Sequence, residues 1–196
     1  MNKTIKKYLI MILGAMSIGV GVAFIVYGDI GGDSLTTLEQ GLSRTFEITI
    51  PTSQILVNGL FVVALFLLDR RKVSFDTILS PLVISSSCNI ALKLVLMVET
   101  MLFRIIYLLI GIVIIGIGIG IGAQSESGLN PYDGVVLSLS EKFKVKFSLL
   151  RPILDLIVLI IGILLKGSWG IGTIITILTQ GFIADFFIKI FKKLIK

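Results

Sequence analysis

The sequence predicts an all-α polytopic membrane protein, with six transmembrane helices forming two inverted three-helix repeats, each carrying a short interfacial or re-entrant helix. Three observations carry that prediction. First, 55% of the 196 residues are hydrophobic and only 15% are charged, and the charges cluster between apolar runs long enough to cross a bilayer. Second, the chain is one unit written twice. Gly28–Ile50 realigns on Ser125–Phe147 with an offset of 97, which sets Gly31 on Gly128, Asp33 on Asn130, Leu42 on Leu139, Ser43 on Ser140 and Phe46 on Phe143. Upstream, Gly14, Ile18, Gly19 and Gly21 fall on Gly111, Ile115, Gly116 and Gly118. Downstream, an offset of 96 sets Thr77, Ile78 and Lys93 on Thr173, Ile174 and Lys189. Third, three spans per repeat is an odd number, so a tandem copy must insert upside down. The basic residues agree: with the N-terminus inside, the inner segments hold 14 Lys and Arg, and the outer segments only three, Arg44, Arg104 and Lys166. Both termini are therefore expected in the cytoplasm. Residues 1–99 form the first repeat and residues 100–196 the second, within one integral membrane domain.

The first span is Tyr8–Tyr27. Its basic start imitates a secretory signal, yet the apolar run continues without a small-x-small cleavage site and matches the later run Ile105–Ala123, so it stays. A short helical pattern follows from Asp33–Ser34, with Leu35, Leu38 and Leu42 on one stripe. The second span runs Thr52–Leu68 behind Pro51, which suits a first helical position. The third is Thr77–Val98 and the fourth Ile105–Ala123, uncharged throughout. The second short helix opens with Asn130 as N-cap, Pro131 at the first position and Asp133 in the first turn. The fifth and sixth spans are Ser148–Leu165 and Ile171–Ile188. Neither short helix can span. Each either lies flat along the interface or dips in as a half-helix.

Composition removes several functions. There is no histidine, and Cys88 stands alone in an apolar segment, so neither a disulfide framework nor a thiol or imidazole metal site is expected. No nucleophile or metal-ligand motif accompanies the repeat, so no enzyme and no cofactor is expected. The net charge of +6 sits beside apolar segments and points to anionic lipid headgroups on the cytoplasmic side, not to nucleic acid.

The candidate polar sites recur in both halves. Gln54 and Asn58 lie four apart near the start of the second span, and their counterparts Arg151 and Asp155 lie four apart near the start of the fifth. Asp155 would sit about 10 Å along its helix, deep enough to demand a partner or water. Arg151 neutralising it locally is one reading; a polar lining for a central cavity is the other. Asn89 in the third span matches Asp185 in the sixth, which Lys189 can pair. Lys93 lies inside the third span and either snorkels outward or reaches an anionic substrate or Asp155 across the bundle. Asp33, Ser34, Asn130 and Asp133 cap helix N-termini; if the half-helices are re-entrant, those N-termini also make an anion or dipole site at the repeat interface. The glycine pairs Gly116/Gly120 and Gly118/Gly122 of span four, with Gly19/Ala23 and Ser17/Gly21 of span one, are expected to pack those two spans tightly.

The doubled pattern resembles the YczE/YyaS/YitT family of bacterial integral membrane proteins. The resemblance rests on the Gly-x-Asn-Pro-Tyr-Asp-Gly stretch at Gly128–Gly134, the Leu-Ser segment after it, and Gly-Ile-Gly-Thr at Gly170–Thr173. Its first-half counterparts are Gly-Gly-Asp-Ser-Leu-Thr-Thr at 31–37 and Val-Ser-Phe-Asp-Thr at 73–77. It implies a six-span protein of the bacterial cytoplasmic membrane, with transport the suggested role, and lends no catalytic residue. The functional expectation is movement of a small solute by alternating access. The alternatives are a substrate-binding membrane subunit that needs an ATPase partner, and a non-transporting scaffold or regulator; homo-oligomerisation is compatible with each.

Overall fold

The computed structural model describes residues 3–28, 30–96, 99–125 and 130–194. Among these the regular structure is helical throughout: α1 (Lys3–Gly28), α2 (Ser34–Phe46), α3 (Ile50–Asp69), α4 (Phe75–Leu94), α5 (Met101–Gly122), α6 (Pro131–Phe143), α7 (Phe147–Leu164) and α8 (Ile171–Leu194), with a 3₁₀ turn at Arg70–Lys72. Six of these helices are long and apolar enough to cross a bilayer, while α2 and α6 are not. In hydrocarbon every backbone polar group must bond within the chain, which is why such runs fold as helices. The third span stops at Leu94, where Val95 turns extended (φ −81°, ψ 137°), short of the expected end at Val98. Apolar composition marks where a span can run and says little about where its backbone leaves the helix. Val98 itself lies outside the described residues, as does Gly128 of the Gly-x-Asn-Pro-Tyr-Asp-Gly stretch.

The centre of the bundle is the crossing of α1 and α5. A Cβ on Gly14 would lie 2.8 Å from the carbonyl oxygen of Gly118, and one on Gly118 would lie 2.6 Å from that of Gly14. Gly21 and Gly111 form the matching contact at 2.7 Å in both directions. At such distances the two backbones touch, and only glycine fits. Gly116 and Gly120 do something else. They seat Ile183 and Phe187 of α8, where a Cβ would come within 2.4 and 2.6 Å. Residues two apart point to opposite sides of a helix, so the interleaved glycine pairs serve two neighbours instead of one. Gly19, the counterpart of Gly116, meets Ser87 and Ile84 of α4 in the same way.

The short helices are inserted between the long ones. α2 packs on α7, and α6 packs on α3. Each is capped at its start by its own side chain: Asp33 Oδ1 accepts from Thr36 N at 2.8 Å, and Asn130 Oδ1 from Asp133 N at 2.9 Å. Their ends also match. Glu47 and Lys144 are left-handed (φ 53° and 56°), and Ser43 and Ser140 donate to the carbonyls of Ile48 and Val145 at 2.6 and 2.5 Å. α2 is exposed only over Arg44–Phe46 and α6 only over Glu141–Phe143. Neither lies flat on the surface of the bundle. One pairing breaks the correspondence between the halves: α7 packs along α8, whereas α3 barely touches α4.

Candidate functional site

The starts of α2 and α6 converge on the middle of α7. Asp155 is 4% exposed, and its Oδ1 accepts from Ser34 Oγ at 2.6 Å and from the Tyr132 hydroxyl at 2.6 Å. Ser34 is the first residue of α2 and Tyr132 lies in the first turn of α6, so side chains from the starts of both short helices bond the same carboxylate. That is favourable: each N-terminus carries about half a positive charge, and a buried carboxylate needs compensation.

Arg151, one turn earlier on α7, is sandwiched between acids. Its guanidinium forms a buried ion pair with Asp133, and its Nε stands 3.5 Å from Asp155 Oδ2. It also lies over the rings of Tyr132 and Phe147, 5.5 and 5.7 Å from their centroids. Asp133 is held from behind by Asn130 Nδ2, which donates to its Oδ2 at 2.8 Å. The local Arg151–Asp155 pairing expected from their spacing is therefore present, but the stronger partner of Arg151 is Asp133 on α6. Phe61 of α3 packs edge-on against Tyr132 at 5.0 Å and closes the cluster from the far side.

Beside this cluster lies a cavity of ≈ 10 Å³, bordered by Asp33, Ser34, Arg151 and Asp155 and by Thr176 and Gln180 of α8. Gln180 is 2% exposed, and neither its Oε1 nor its Nε2 has a hydrogen-bond partner among the described residues. Thr176 is also buried, donating to the Gly172 carbonyl at 2.8 Å. Thus Asp33, Ser34, Asn130, Asp133, Arg151 and Asp155 come together, as candidate residues of one site.

The other candidates stand apart. Gln54 donates to Glu39 Oε2 of α2 at 3.3 Å, and Asn58 bonds back to the Gln54 carbonyl of its own helix at 2.8 Å. Asn89 is exposed on α4, and Lys93 is exposed on that helix's last turn, as a snorkelling lysine would be. Asp185 pairs with Lys189 at 2.8 Å near the end of α8. The repeat and spacing patterns do not single out Tyr132, Gln180, Thr176 or Glu39. Two of these carry a visible signal all the same: Tyr132 lies inside the Asn-Pro-Tyr-Asp stretch, and Gln180 is the lone amide of the sixth span.

The fold and this cluster define a class: a multi-pass helical membrane protein with a buried, charged centre built from two inserted half-length helices. Within that class, the chain belongs to the family of unknown function DUF6198, whose model matches residues 5–189. It is similar to an uncharacterized protein of Haemophilus influenzae, 28% identical over 189 residues that cover 96% of this chain and 86% of the relative. It is also similar to the uncharacterized protein YyaS of Bacillus subtilis, 23% identical over 190 residues that cover 95% of this chain and 94% of that one. The YyaS-type resemblance is borne out. No solved structure matches the chain.

Proposed function

We propose that this protein moves a small solute across the cytoplasmic membrane by alternating access between two inverted repeats, with both termini in the cytoplasm. The inverted relationship draws support from contacts that map onto each other: Gly14 with Gly118 and Gly21 with Gly111, or the twin serine bonds that end α2 and α6. In that arrangement α2 and α6 are re-entrant half-helices entering from opposite faces, their N-termini meeting on Asp155. The observation that carries the reading is the broken pairing. α7 lies against α8 while its counterpart α3 stands off α4, and unequal closure of equivalent interfaces is what an inverted-repeat transporter exchanges during its cycle. Gly181 shows how tight the closed side is, with a Cβ there meeting the Ser148 carbonyl at 3.1 Å.

The test is a thermal-unfolding screen of the detergent-purified protein against metabolites, vitamins and antibiotics. A ligand at 100 times its dissociation constant adds about 2.7 kcal/mol, which is readily measured. A stabilising solute that also accumulates in proteoliposomes, and fails to do so with Asp155→Asn, supports the proposal. A solute that binds without being moved would make the protein a binding component.

A further inference from the structure

The cavity beside Asp155 has a size and a charge, and together they select its occupant. At ≈ 10 Å³ it admits one water-sized body. Pockets for organic solutes are larger by more than an order of magnitude, roughly 300–1,000 Å³. The solute of the proposed transport cycle therefore does not sit here. An anion is disfavoured as well, because two carboxylates, Asp33 and Asp155, border the cavity.

The charge balance points the other way. Arg151 and Asp133 cancel as a buried pair. That leaves the carboxylates of Asp33 and Asp155 against two helix N-termini worth about half a positive charge each, a surplus of about one negative charge. Arg151 borders the cavity too, but its charge is met by Asp133, and the remaining polar groups on the wall are mostly oxygens: those carboxylates, the hydroxyls of Ser34 and Thr176, and the amide of Gln180. Hard cations take such ligands. Gln180 supplies an observation independent of the acids. Its amide is 2% exposed and neither polar atom has a partner among the described residues, which is costly unless something in the cavity meets it. A divalent ion fits less well: about one unit of charge is uncompensated, and no set of three acidic, His or Cys side chains among the described residues could hold a metal.

We infer that the cavity bordered by Asp33, Arg151, Asp155, Thr176 and Gln180 binds a single dehydrated monovalent cation, for which sodium is the first probe. The role of this cation as the coupling ion rests on the transporter reading; its binding does not. Its position is suited to coupling, because Asp33 and Ser34 begin α2, Asp155 lies on α7, and Thr176 and Gln180 lie on α8. A cation there draws together the elements on the closed side of the bundle.

The experiment measures binding without transport. Unfolding of the purified wild-type protein is followed in sodium, lithium, potassium and choline chloride at equal ionic strength, and bound radioactive sodium is counted by equilibrium dialysis. The expected result is a saturable rise in unfolding temperature with sodium and not with choline, with one ion bound per chain. Thr176→Val and Gln180→Leu should lose the ion-specific rise, with at least a tenfold weaker sodium affinity, while remaining monodisperse. Should Gln180→Leu not fold, Thr176→Val and the wild-type dialysis still decide the matter. Identical curves in all four salts with no bound sodium would overturn the inference and assign the cavity to water. Stabilisation that follows pH alike in every salt would overturn it in favour of a proton. Neither result touches solute transport, which the metabolite screen decides separately.

Discussion

Ser34 and Tyr132 donate to the same atom, Oδ1 of Asp155, each at 2.6 Å. The two residues come from opposite halves of the chain and from the starts of different short helices. One carboxylate thus ties the start of α2 to the first turn of α6, and Arg151 Nε stands 3.5 Å from its other oxygen. Removing Asp155 would leave two buried hydroxyls without their acceptor and the guanidinium without one of its two acids.

Asp155→Ala should accordingly lower stability by about 3–5 kcal/mol, the scale for removing one partner of a buried charge pair. Asp155→Asn keeps an acceptor for both hydroxyls and should lose less. Thermal unfolding of both variants in detergent ranks them; equal losses would show that the Oδ1 bonds do not hold the helices.

Arg151 and Asp133 should behave as one unit. Arg151→Met strands Asp133, and Asp133→Asn takes from the guanidinium the nearer of its two acids, whereas the double variant removes both members of that pair and leaves Asp155 to its two hydroxyl donors. A double-mutant cycle on unfolding should return a coupling of about 1–3 kcal/mol. Additive losses would mean that the ion pair contributes nothing specific.

The glycine contacts make a prediction of opposite signs. Gly118→Leu must push α5 off α1, where a Cβ already comes within 2.6 Å of the Gly14 carbonyl, and should abolish recovery of folded protein. Gly59→Ala, inside α3 with no atom within 4 Å of the added carbon, should raise stability by about 0.5–1 kcal/mol through helix propensity. Yield and unfolding temperature read both.

Ser43→Ala and Ser140→Ala should cost the same, about 1 kcal/mol each, because each removes one hydrogen bond at an equivalent helix end. A marked difference, read by unfolding of the two variants, would mean that the ends of α2 and α6 are not equivalent in strength.

Much of this arrangement is legible in the amino-acid sequence. Hydropathy places all six spans because a bilayer demands continuous apolar helices, and Asp33 and Asn130 announce the short helices because free N–H groups require caps. The pairing of Arg151 with Asp155 follows from four-residue spacing alone. The dominant partner of Arg151 does not, because Asp133 reaches it through tertiary packing of α6 on α7 that no local periodicity encodes. The same reason hides the fate of α2. Thr37 and Glu39 look like the solvated face of a surface helix, yet both are buried, with Thr37 bonded to the Ser168 carbonyl and Glu39 to Gln54. Gln180 escapes because the repeat offers no polar counterpart: the equivalent position holds Ile84. Pattern matching between halves finds what the copies share, and a site built on their difference falls outside it.

The interleaving of the two halves has a consequence for biosynthesis. α1 finds its main partner in α5, α2 in α7 and α3 in α6, so the helices made first are completed by those made last. While the ribosome is still translating, the touching glycine face of α1 and the carboxylate-seeking start of α2 have nothing to meet. A nascent first half must wait in the membrane with these surfaces uncovered, which makes it a natural client for insertion chaperones. Two separately produced halves should recover a folded protein only when they are co-expressed.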